Sequence, residues 1–102
     1  MDLAVRIYIF TKQLPKEEMY GLKDQLQRSS TSIALNIAEG TGGESDKEMI
    51  RYLYLAKKSL FETITGLKLI QRIYHFDSSN ILGDYGQLGK SLQALINSLT
   101  KD

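Results

Sequence analysis

Asn36 and Glu39 stand three residues apart, a spacing that puts two side chains on one face of a helix. Ser29 and Ser32 fall on roughly the same face. An acid–base reading would make Glu39 the proton carrier and Asn36 the group that orients it. Such chemistry ordinarily pairs titratable groups whose pKa values are pushed apart. Glu62, in the middle of a later helix, is a lone candidate for the second group. We therefore read Asn36, Glu39 and the adjoining Gly40 as a structural motif. In that reading a buried polar network fixes helix register and Glu39 bonds loop amides. No catalytic residue is assigned, and an enzyme is not expected.

The run Gly40-Thr41-Gly42-Gly43 has the glycines of a phosphate cradle. It follows a helical pattern instead of a strand and lacks a Gly-Lys-Ser/Thr ending, so it reads as a flexible turn. His75 is the one histidine and sits at a helix end, where positive charge complements the dipole. No other ligand type clusters around it. Without cysteine there is no thiolate site either. Neither a metal nor a cofactor is expected.

The face with the most chemical content lies between Lys47 and Arg72. At about 100° per residue, Lys47, Arg51, Tyr54, Lys58, Phe61, Glu62, Thr65, Lys68 and Arg72 share one side of a helix. Basic residues interleaved with aromatics can track a phosphate backbone while bases stack on the rings. The expected nucleic-acid contacts are Lys47, Arg51, Tyr54, Lys58, Lys68 and Arg72. Two other readings fit the same face: a solvated surface whose lysines lay their stems along apolar neighbours, or a subunit interface. Ile50, Leu55, Leu69 and Ile73 flank it. A helix apolar nearly all round is normally buried, and a chain of 102 residues has little core in which to bury both sides. Leu55, Leu69 and Ile73 are therefore expected in contacts between copies.

Four helices must position these residues. Leu3, Ile7 and Phe10 predict the first, over residues 2–12, ended by Pro15. Leu22, Leu26, Ile33 and Ile37 predict the second, over residues 18–39, with Gly40 as its left-handed cap. Ser45-Asp46-Lys47-Glu48 is a capping box that opens the third. Met49, Leu53, Ala56, Leu60, Leu67, Ile70 and Tyr74 carry that helix on, with Thr63 the one break in the seam. Asp77 to Asn80 form a turn. Leu82, Tyr85, Leu88, Leu92, Leu95 and Leu99 mark the fourth helix, and Gly83, Gly86 and Gly89 along it suggest a close helix contact. The pattern is an all-α, antiparallel, up-down-up-down four-helix bundle in one domain, residues 1–102, with a short first helix. That helix, about 15 Å long, is expected to leave apolar surface open near Ile33, Ile37 and Leu99.

Thirteen Lys plus Arg against twelve Asp plus Glu leave a net charge of +1, too small for a broad attractive field. No apolar run approaches the roughly 18 residues of a membrane span. Nor do the first residues read as a signal peptide. A cytoplasmic location without membrane contact is expected.

Residues 14–22, Gln25, Arg28-Ser29-Ser30 and Ser32-Ile33-Ala34-Leu35-Asn36-Ile37-Ala38-Glu39-Gly40 carry a family resemblance, most specifically from Asn36 to Gly40. Residues 45–54, Ser59-Leu60, Glu62, Gly89 and residues 95–99 extend it over nearly the whole chain. The chain resembles the four-helix-bundle proteins encoded in intervening sequences of bacterial large-subunit ribosomal RNA genes. Their fold is similar to that of the accessory protein of diversity-generating retroelements. The resemblance implies a homopentameric ring with no established enzymatic activity and with RNA or DNA as a suspected partner. An interaction module for a polymerase or reverse transcriptase, without direct nucleic-acid contact, is the alternative. Three features depart from the family pattern. The first helix lacks about two initial turns, Ala34 replaces a common proline, and Gln27-Arg28 replaces a basic pair.

Overall fold

The structure, a computed structural model, describes residues 2–18, 21–43 and 45–100. Met19, Tyr20 and Glu44, which belong to the resemblance and the predicted loop, lie outside the described residues. Four helices account for most of the described chain: α1 (Asp2–Thr11), α2 (Leu22–Thr41), α3 (Asp46–Tyr74) and α4 (Ser79–Thr100). Each packs on its neighbours in sequence, and α4 closes on α1, so α1 and α3 occupy opposite corners. This is an all-α, up-down-up-down four-helix bundle, elongated to 48 × 21 × 18 Å.

One continuous core runs through it. Ile7 and Phe10 from α1, Leu26 and Ile33 from α2, Leu53, Leu60, Leu67 and Ile70 from α3, and Ile81, Tyr85, Leu92 and Ile96 from α4 are all buried. The α3 boundaries follow from its ends. The Ser45 hydroxyl accepts the Glu48 backbone N–H at 3.2 Å, which satisfies one orphan donor of the first turn. His75 closes the helix in the left-handed region at φ 61°, its N–H bonded to the Gln71 carbonyl.

Five expectations need correction. α2 starts at Leu22, not near residue 18; residues Lys16–Glu18 form a separate 3-10 turn, and Gly21, without a capping side chain, stands before the helix. Gly40 is not a cap: α2 continues to Thr41, Gly42 caps it, and no glycine has positive φ. Gly40 is buried, and a Cβ there would stand 3.1 Å from Tyr52 Cβ, so it is a packing glycine. On α4, Leu95 is not core but 37% exposed, while Ile81 and Ile96 are buried. Arg6 of α1 pairs with Asp84, and Leu95 stands three turns beyond that level, past the described start of α1. Gly89 does touch Leu60, at 3.0 Å from its would-be Cβ, but Gly83 and Gly86 face open space. The end expected to be open is only partly so: Ile33 is 3% exposed, and Ile37 and Leu99 are half-buried.

Candidate functional site

α3 is a 29-residue helix with its apolar seam turned to α2 and α4, so its opposite side is solvent-facing. Lys47, Arg51, Lys58, Lys68 and Arg72 are all exposed there, as are Glu62 and Thr65. The basic ladder from Lys47 to Arg72 is about 37 Å long at 1.5 Å per residue. Tyr54 and Phe61 are 51% and 60% exposed on the same side. The Arg51 guanidinium lies over the Tyr52 ring, 4.4 Å from its centroid. Such stacking holds the cation in place while leaving part of its hydrogen-bonding edge free.

Lys57 was missed by the face arithmetic because it sits between the apolar seam and the outer side. It donates to Gln93 of α4. Its ammonium also stands 5.7 Å from the Tyr54 centroid and 5.8 Å from that of Phe61. The signal for it was the spacing: three residues after Tyr54 and four before Phe61. Tyr54, Lys57, Lys58 and Phe61 thus form one patch. Lys68 and Arg72 lie at least two turns further along the helix. Leu55, Leu69 and Ile73 are exposed at the α2 edge of the same face. A shallow cavity of about 320 Å³ opens there between Leu22, Phe61, Gly66 and Leu69.

The Asn36 motif separates into parts. Asn36 donates to the Ser32 carbonyl at 2.9 Å and lies 3.1 Å from the Ser32 hydroxyl. Ser59 of α3 donates to that same hydroxyl at 2.8 Å, and Ser29 and Thr63 share a 2.7 Å bond. These hydroxyl pairs join α2 to α3, whereas the Asn36 bonds stay within α2. Glu39 takes part in neither: its side chain is exposed and, among the described residues, bonds no loop amide. The glycine run is also occupied otherwise. Gly42 N–H bonds Ala38 O and Gly43 N–H bonds Gly40 O, both at 3.1 Å, so these donors close the helix instead of facing a ligand. Among the described residues no three His, Asp or Glu side chains gather as metal ligands.

Residues 1–98 match the family described as 23S rRNA-intervening sequence protein. The chain belongs to that family. A crystal structure of a protein of unknown function from the S23 ribosomal protein family of Bacteroides thetaiotaomicron superposes with a TM-score of 0.82 at 30% identity. The match covers 93% of this chain and 92% of that one. No curated protein matches. The 23S rRNA-intervening sequence proteins are not a known enzyme family. Among the described residues, no helix is long and apolar enough to cross a membrane.

Proposed function

We propose that this 23S rRNA-intervening sequence protein is a non-enzymatic homo-oligomeric scaffold, a ring of five by family resemblance. In this reading it acts in the bacterial cytoplasm and holds RNA or DNA against α3. The observation that carries the reading is the outer face of α3, where five exposed cations alternate with the exposed rings of Tyr54 and Phe61. Leu55, Leu69 and Ile73 beside them support contact between copies, because adjacent exposed apolar residues mark interaction surfaces. Stacking on the two rings contributes on the order of 1–3 kcal/mol per base wherever assembly leaves them open.

Filter binding of a single-stranded RNA across a salt series tests this. Affinity should fall steeply with salt, since each neutralised phosphate releases counterion. Changing Arg51, Lys58 and Arg72 together to Gln should abolish binding while light scattering still gives an oligomer. A mass of 11.6 kDa at micromolar concentration would remove the assembly reading. Binding that survives the triple change would move the site off α3.

A protein-partner reading, an accessory subunit of a polymerase or reverse transcriptase, draws on a different observation. Val5, Tyr8 and Ile9 form an exposed apolar stripe on α1, at the corner opposite α3. Association with such a partner would persist at salt concentrations that strip nucleic acid.

A further inference from the structure

The two long edges of α3 differ in charge. Past Glu48, the only acid on α3 is Glu62, which accepts from Gln25 on the α2 side at 3.2 Å. The only acid on α4 is Asp84, which pairs with Arg6 on the α1 side. The line where α3 meets α4 carries cations instead. Lys57 and Lys68, eleven residues apart, share that edge of α3. On α4, Lys90 is exposed one turn before Gln93, and the Gly89–Leu60 contact sets it at the level of Phe61. Gly86, two turns before Gln93 on the same edge, leaves the α4 backbone bare, and a Cβ there would meet nothing. Lys57 itself is held. It donates to Gln93, whose Nε2 donates on to Asn97 at 2.8 Å, so the amide oxygen is kept turned to the lysine. The ammonium stands between the rings of Tyr54 and Phe61, 5.7 and 5.8 Å from their centroids. Those two residues are seven apart, about 10 Å along the helix.

We propose that the nucleic-acid surface extends from α3 onto α4 along this line and takes its ligand as an unpaired single strand. This rests on the nucleic-acid reading given above. An ammonium has three donors, so Lys57 keeps two after bonding Gln93. A single strand sets a phosphate on them and turns the bases on either side onto Tyr54 and Phe61. A duplex has its bases stacked on one another, which leaves it phosphate contacts and no use of the rings. Fixing Lys57 in advance also lowers the ordering cost of binding. Lys90 adds a second cation from α4 beside Phe61. The opposite, α2 edge, with Leu55, Leu69 and Ile73, stays available for contacts between copies.

Filter binding of a single-stranded oligonucleotide and of its annealed duplex, each as RNA and as DNA, across a salt series tests the assignment on the full chain. The single strand should bind about tenfold more tightly than the duplex, the gain of stacking one base. RNA and DNA strands should bind alike, because phosphates and base faces are common to both. Lys57→Gln and Lys90→Gln should each weaken binding and flatten the salt slope by about 0.7, the value of one phosphate contact on a single strand. Gln93→Ala removes no charge, so it should weaken binding about two- to tenfold with the slope unchanged. Duplex bound as tightly as single strand, binding of RNA alone, or parental affinity in Gln93→Ala would each overturn the proposal. Loss of binding in the joint Arg51, Lys58 and Arg72 change, with Lys57→Gln and Lys90→Gln at the parental level, would keep α3 as the site and overturn only its extension onto α4. No binding by the parent would remove both readings. Lys90 is exposed, so its replacement leaves the core intact and that comparison stands by itself.

Discussion

The α2–α3 seam and the α1–α4 corner use the same kinds of residue to opposite ends. Along the seam, small residues bring backbones together. A Cβ at Gly66 would stand 2.9 Å from Leu26 Cδ2, so Leu26 sits in the notch that the glycine leaves. Ser29, Ser32, Ser59 and Thr63 pair across the gap, each hydroxyl satisfied. At the corner, among the described residues, a cavity of about 280 Å³ opens beside Tyr85, whose hydroxyl has no hydrogen-bond partner of ordinary geometry. The Arg6–Asp84 pair is solvent-exposed, while Gly83 and Gly86 face solvent on the outer side of α4. Exposed ion pairs contribute little. Small and polar residues thus specify a tight interface on one side of the bundle and leave space on the other.

The largest effect that would sharpen this contrast is at Leu26. It is fully buried, so Leu26→Ala should cost about 2–5 kcal/mol in denaturant unfolding, cavity included. A loss below 1 kcal/mol would mean that the seam repacks and is no tighter than the corner.

The corner has its own signature in alkali. Folding keeps Tyr85 neutral, with its pKa raised from 10.0 to about 12. Its contribution is complete below pH 10 and disappears as pH rises through 12. A burial-driven shift of about two pH units caps this at roughly 3 kcal/mol, and solvent screening brings it lower. Unfolding free energies at pH 9 and pH 12 should show the parent losing more than Tyr85→Phe does. Identical losses would mean that the hydroxyl reaches solvent.

Thr63→Val leaves Ser29 with its 2.7 Å partner gone, at a cost of about 1–3 kcal/mol. Adding Ser29→Ala should recover part of that, and strict additivity in the cycle would show that the bond does not couple the helices. The smallest change runs the other way. Gly83→Ala and Gly86→Ala meet no atom, so each should stabilise by about 0.4–1 kcal/mol, read as a raised melting temperature. Gly66→Ala, into the Leu26 side chain, should destabilise.

Those glycines also mark where the sequence stops being legible. Periodicity located all four helices, and the Ser45 cap and Tyr74 end of α3 came from local chemistry that acts within a turn. The exposure of Tyr54, Leu55, Phe61, Leu69 and Ile73 followed from counting 100° steps. Gly40 was misplaced because a capping glycine and a packing glycine look alike until the partner, here Tyr52, is known. Leu95 failed for a related reason: its pattern suits a core, but burial depends on what stands opposite. Lys57 depends on α3 meeting α4, and the space beside Tyr85 on three helices meeting, which no single stripe encodes. The stripe of Val5, Tyr8 and Ile9 was present at helical spacing but lay beside a stronger one, Leu3, Ile7 and Phe10.

The brevity of α1 has a kinetic consequence. Ten residues make a helix that is marginal by itself in water, so α1 holds its shape only while docked. Its amide hydrogens should exchange through local openings well below the global unfolding free energy, while those of α3 wait for the whole bundle to come apart. Leu3 and Ala4 would leave with α1 in each such excursion, uncovering Tyr85 on a timescale set by helix docking and not by side-chain motion.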